Sequence, residues 1–223
     1  MSPIGSMNQM DFELLGTDLA TFVIQDGELL YKGLNDLPTQ HGDVDATQWG
    51  SGIVDYGDYT YIYGSKRAHR PYVLGDDYNV ARVPIDTPLS DLDSWEYRNG
   101  AGWMKHEYNA TPVIAGELGS RSAILPRVSD DGGVSFITKE AALYGTEVIE
   151  LDAPAPDGPF SESGTVATVL GYNSNNGLSG TSYLAFRGEL PNGALVDMIS
   201  KQGTGDVNLT GYGVELLKNV ATS

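Results

Sequence analysis

An all-β chain of short antiparallel strands is the fold class this sequence predicts, and three observations predict it. Amphipathic stretches of about 10–15 residues, which an α/β enzyme needs between its strands, are almost absent. Short apolar or aromatic runs recur instead. They are separated by turn punctuation rich in the chain's 28 Gly and 11 Pro, with Gly following Asp or Asn where a tight hairpin needs a positive φ.

Taken in order, ATFVI, the turn QDGE and LLYKG form a first hairpin within residues 11–33. Residues 48–103 form a complete unit: an inner strand over 49–56, a hairpin, a second strand over 59–64, a third in NVARVPI and an outer strand in SWEYRNG. Alternation places Tyr59, Tyr61 and Tyr63 on one face, as packing residues between units. LSDLDSWEY is the exception to the β pattern, with Ser90 expected to cap one helical turn. A second unit, starting near Ser120, contains SAILPRV, the turn SDDGG, VSFIT, EVIEL and TVATVL; a third, near Thr181, contains SYLAF, RGELPNG and ALVDMIS. Four strands per unit, recurring every 50–70 residues or so, is the signature of β-propeller blades. The expectation is a single domain over residues 11–223: a partial propeller of four-stranded antiparallel blades, three to four of them, with the 11–33 hairpin as the outer part of a preceding blade. Residues 1–10 read as a vector remnant, with a second start at Met7.

Composition excludes several classes of function. With 13 Lys plus Arg against 30 Asp plus Glu, the formal charge is −17, so phosphate backbones and anionic membrane faces are repelled and nucleic acid is not an expected partner. No run of about 18 apolar residues exists for a membrane span, and no basic stretch followed by an apolar core opens the chain as a secretion signal. The absence of Cys removes disulfides and thiolate metal sites. His41, His69 and His106 have neither zinc-site spacing nor a nucleophile to serve. No cofactor motif is present; the loops GDDYN, SDDGG and NSNNG offer oxygen ligands suited to a structural calcium, and turn chemistry accounts for them equally.

Five strings carry a resemblance by their order: QWGSGIVDYGDYTYIYG, ARVP, LSDLDSWEYRNGAGW, APAPDGPF and YLAFRGELPNGALVDMIS. Together they resemble the later blades of an actinobacterial five-bladed β-propeller family related to endo-D-arabinanases and, more distantly, to furanoside-cleaving glycoside hydrolases. The likeness spans roughly residues 17–200. It implies an extracellular or cell-envelope protein that meets arabinan-type polysaccharide at a central funnel lined by carboxylates. Members of that family usually carry about two blades before this pattern, and where they tend to have His-Pro-Glu-Leu this chain has Arg187, Gly188, Glu189 and Leu190.

Glycoside hydrolysis needs one protonated and one ionised carboxyl roughly 5–10 Å apart. Glu117 and Glu189, at strand ends, are the candidate catalytic pair. Arg121 and Arg187 stand out among scarce cations as substrate-holding forks, or else as ion pairs between blades. Trp49 is either a sugar platform or a core residue, and Gln48 beside it either a ligand hydrogen-bonder or a turn residue.

Two readings follow. In one the chain is a glycoside-hydrolase-like propeller working through Glu117 and Glu189; in the other it is a non-catalytic partial propeller that binds sugar or a partner protein. An open set of blades leaves apolar faces in water, so self-association or a companion chain is expected, and a strictly monomeric, cooperatively folding species in light scattering would count against that.

Overall fold

The computed structural model describes residues 16–38, 46–67, 75–118, 123–141, 147–168, 179–181, 185–190, 192–204 and 211–217. Those residues form antiparallel strands with a few 3-10 turns, as the alternation predicts. β1 (Asp18–Gln25) and β2 (Glu28–Asp36) make a hairpin about the turn Asp26-Gly27, where Gly27 takes φ +81°. β3 (Gln48–Tyr56), β4 (Tyr59–Arg67), β5 (Asp76–Pro84), β6 (Glu96–Asn99) and β7 (Gly102–Met104) form a five-stranded meander.

The fifth strand corrects the four-stranded expectation for this unit. Asn99 accepts hydrogen bonds from the backbone N–H groups of Ala101 and Gly102 through Oδ1, and the chain reverses there so that β7 pairs with β6. The turn in LSDLDSWEY is a 3-10 turn over Leu92–Ser94, flanked by Asp91 rather than capped by Ser90; the Ser94 hydroxyl donates to the Asp91 carboxylate.

β8 (Arg127–Val128), β9 (Val134–Lys139), β10 (Glu147–Ala153) and β11 (Ser161–Thr168) form the middle sheet, in the order β11-β10-β9-β8. In the third sheet β12 (Ser179–Thr181) and β13 (Ala185–Glu189) pair with successive stretches of β14 (Leu195–Thr204), and β15 (Gly211–Leu217) pairs with its other edge.

Consecutive sheets pack against each other through three apolar clusters. Leu37, with Leu19, ties the hairpin to Trp49, Ile62, Ala81, Val83, Trp95 and Tyr97 on one face of the five-stranded sheet. The opposite face presents Tyr61, Tyr63, Tyr78 and Val80 to Val134, Phe136, Ile149 and Leu151 of the middle sheet. Ile137 and Val148 of the middle sheet meet Ala185 and Ile199 of the third. The period-2 alternation of β4 drives this division: Ile62 goes to one cluster while Tyr61 and Tyr63 go to the other. The hairpin is poorly covered, with Phe22, Ile24, Leu29, Tyr31 and Leu34 all exposed. Such a two-stranded ribbon is marginal by itself and relies on its contact with the next sheet.

Candidate functional site

Four of the five strings singled out by their order in the sequence contribute to one seam, between the five-stranded sheet and the 153–160 segment that follows β10; the fifth, over residues 183–200, belongs to the third sheet. Tyr61 on β4, Arg82 on β5 and Glu96 on β6 lie opposite one another across the strands. Arg82 donates from Nε to Glu96 Oε2 at 3.0 Å, with its Nη2 2.9 Å from the same oxygen. Its guanidinium carbon sits 4.1 Å from the ring centre of Tyr59 and 4.2 Å from that of Trp103, so the cation is held between two aromatic rings. Tyr61 stands edge-on to Tyr56, Tyr59 and Trp103, with ring centres 5.8–6.3 Å apart.

The other wall is laced to this one. Arg98, opposite Trp103 in the β6–β7 pair, donates from Nε to Asp157 at 2.9 Å and from Nη1 to the carbonyls of Asn99 and Gly102. The Tyr63 hydroxyl donates to the Pro156 carbonyl at 2.7 Å, and Tyr56 to Gly132 at 2.9 Å. Burial raises the phenol of Tyr61, opposed by the hydrogen bond and charge of Arg82, and pushes Tyr63 well above the ordinary value. Both therefore stay neutral hydroxyls at physiological pH. The seam thus offers half-buried Tyr59 and Trp103, neutral phenols and two arginine–carboxylate pairs whose charges already cancel. That chemistry suits a neutral, oxygen-rich ligand that stacks apolar CH faces on rings and trades hydrogen bonds at its rim.

The residues singled out individually are placed elsewhere. Trp49 is a core residue, not a platform: it is 1% exposed, edge-on to Trp95 and Tyr97, and donates from Nε1 to Glu107 at 3.0 Å. Its neighbours explain why. A shift in strand register between Trp49 and Gly52, with Gly50 at φ +95°, turns the indole inward over Gly64. Any Cβ on Gly64 would lie 2.8 Å from the Trp49 ring. Gln48 is exposed on β3, opposite Ser65. Arg187 is a link between sheets rather than a ligand fork. It binds Asp197 through Nε at 2.7 Å and Nη2 at 2.9 Å, and Glu150 of the middle sheet through Nη1 at 2.5 Å. Glu117 is exposed in the 3-10 turn Gly116–Leu118 beside β5 of the five-stranded sheet, and Glu189 is exposed at the end of β13 in the third sheet. Arg121, His41, His69 and the loop NSNNG fall outside the described residues. His106 stacks on the exposed ring of Tyr108. In SDDGG, Asp131 accepts from the Ser129 hydroxyl and the Gly133 N–H, closing the turn.

Sequence reasoning passed over Arg82, Arg98 and Asp157 as individuals. The signal available was their place inside the ordered strings ARVP, WEYRNGAGW and APAPDGPF.

Glu107 is a second carboxyl that the sequence did not mark. Burial raises its pKa, opposed by the Trp49 hydrogen bond and by the charge of Lys66. A carboxyl raised in the fold contributes its stability fully below the unfolded value of about 4.3, and that contribution is lost as pH rises through the folded value. Glu107→Gln keeps an acceptor for Trp49 without the desolvated charge. The expected result is a variant that gains stability relative to the parent as pH rises from about 4 to 7, read from denaturant midpoints at both pH values. A gap that narrows on that rise would contradict it.

Among the described residues no helix is long and apolar enough to cross a membrane. The family model for the domain of unknown function DUF5005 matches residues 2–186, and the chain belongs to that family. The matched span takes in the hairpin, the first two larger sheets and every residue of the seam. No curated protein matches the chain.

Proposed function

We propose, from that membership and the seam's geometry, that the chain is a non-catalytic carbohydrate-binding module. Its sheets are consecutive blades of a partial five-bladed β-propeller, and it holds furanoside polysaccharide of the arabinan type along the Tyr59–Trp103 seam. The observation that carries the reading is convergence: residues from strings as far apart as Tyr59 and Asp157 form one aromatic and polar surface. The furanoside class comes from the resemblance of those strings, and with it an extracellular or cell-envelope setting. Sheets that pack in chain order, each against the next, are what consecutive blades would show. The apolar β1–β2 hairpin is where strands of a companion chain would complete a further blade.

Binding is favoured over cleavage because Glu117 stands in a 3-10 turn beside the five-stranded sheet while Glu189 ends a strand of the third, and both carboxylates at the seam are occupied by arginines. Calorimetric titration with arabinan oligosaccharides tests the reading. Trp103→Ala is expected to weaken binding about tenfold or more, the loss typical of a buried aromatic anchor. Glu117→Gln and Glu189→Gln are expected to bind as the parent does, with no reducing ends released by any of them. Turnover by the parent that either Glu→Gln change abolishes would overturn the reading.

A further inference from the structure

Arg127 and Ser135 lie directly opposite each other in the β8–β9 pair. Opposed residues project from the same face of a sheet. Val134 and Phe136 face the five-stranded sheet and Ile137 faces the third sheet, so alternation turns Ser135, and Arg127 with it, toward the third sheet. Asp152, opposite Ser135 on β10, continues the row and is exposed.

These two side chains lack partners where their neighbours have them. Ser135 is 2% exposed, and both its Oγ and the Nε of Arg127 are buried without a hydrogen bond. Arg127 holds no carboxylate among the described residues, whereas Arg82 and Arg98 each hold one and Arg187 holds two. A buried donor left unmade costs free energy, and a half-buried cation without a counter-charge costs more.

We propose that Arg127 and Ser135 form an oxyanion-binding point between the middle and third sheets, made for the carboxylate or phosphate group of a small ligand. The guanidinium supplies a planar fork of donors and the serine hydroxyl one more, the arrangement that holds such oxygens best. Asp152 at the outer end of the row accepts hydrogen bonds from neutral hydroxyls of the same ligand and repels a second negative charge. The proposal is independent of the aromatic seam.

Its test is calorimetric titration of the full chain with inorganic phosphate and with D-glucuronate, at ionic strength fixed with potassium chloride and with D-glucose as the neutral control. Saturable binding of at least one anion is expected, weakened about tenfold or more in Arg127→Gln. Preference for glucuronate identifies a carboxylate-bearing ligand, and preference for phosphate a phosphorylated one. Ser135→Ala keeps the test independent of any folding defect in the arginine variant. It is expected to weaken the anion while leaving the ligand-free protein as stable or more so, because it removes an unpaired hydroxyl. Absence of saturable binding by either anion up to about 10 mM, equal affinity in Arg127→Gln, or a Ser135→Ala protein that is less stable without ligand would overturn the assignment.

Discussion

Arg187→Ala lowers the free energy of unfolding by about 3–5 kcal/mol, the penalty for removing one member of a buried ion pair. Asp197, directly across the β13–β14 ladder, is fully buried and receives two hydrogen bonds from this guanidinium. Without it the carboxylate is left in the interior with no donor of comparable strength. Glu150 simultaneously loses its bond across the sheet boundary, so the middle and third sheets lose their polar tie along with the charge balance. Lys does not restore the site, because a single ammonium cannot replace a planar fork that reaches both carboxylates. The joint change Arg187→Met with Asp197→Leu is expected to lose much less than Arg187→Ala, since apolar replacement of a whole buried pair is often near neutral. Urea denaturation read at constant m-value checks both expectations. A loss below about 1 kcal/mol in Arg187→Ala would place the pair among exposed, weakly contributing bridges.

Trp49→Ala has a comparable effect, about 3–5 kcal/mol, from cavity formation. The indole is 1% exposed and packs edge-on against Trp95 and Tyr97, so its removal opens a void under the hairpin contact made by Leu37. It also strips Glu107 of its donor while leaving that carboxyl half-buried. Trp49→Phe retains most of the volume but no N–H, and a smaller loss is expected. The decisive feature is the readout: the folded Phe variant is expected to show the same affinity for arabinan oligosaccharide as the parent, because residue 49 is buried in the cluster on the opposite face of the five-stranded sheet. Reduced affinity at unchanged stability would return Trp49 to the role of sugar platform.

The strand pattern was legible where alternation and turn chemistry act over a few residues. The three tyrosines of β4 show this, for a period of two sends them all to one face. Trp49 was not legible in the same way: the register shift before Gly52 sets it opposite Gly64, and the missing side chain there, which no alternation rule reports, is what leaves room for the ring. β7 was missed because three residues carry too little apolar pattern to mark a strand. The site was legible as ordered strings and illegible as contacts. Arg98 and Asp157 are 59 positions apart, and Arg187 and Glu150 are 37 apart. No local rule pairs them; the packing of whole sheets does. Arg187 stands out in the sequence as a rare cation, and scarcity alone does not separate a ligand fork from an inter-sheet tie.

The central claim, a glycan held at the Tyr59–Trp103 seam, is met most directly by intrinsic fluorescence. The chain has three tryptophans; Trp49 and Trp95 are 1% exposed, and Trp103 is half-buried at the seam. Titration with an arabinan oligosaccharide is expected to shift the emission saturably through Trp103 alone, and the shift is expected to vanish in Trp103→Phe while Trp49 and Trp95 still emit. An emission change that survives in Trp103→Phe, or none in the parent at saturating oligosaccharide, would contradict the account.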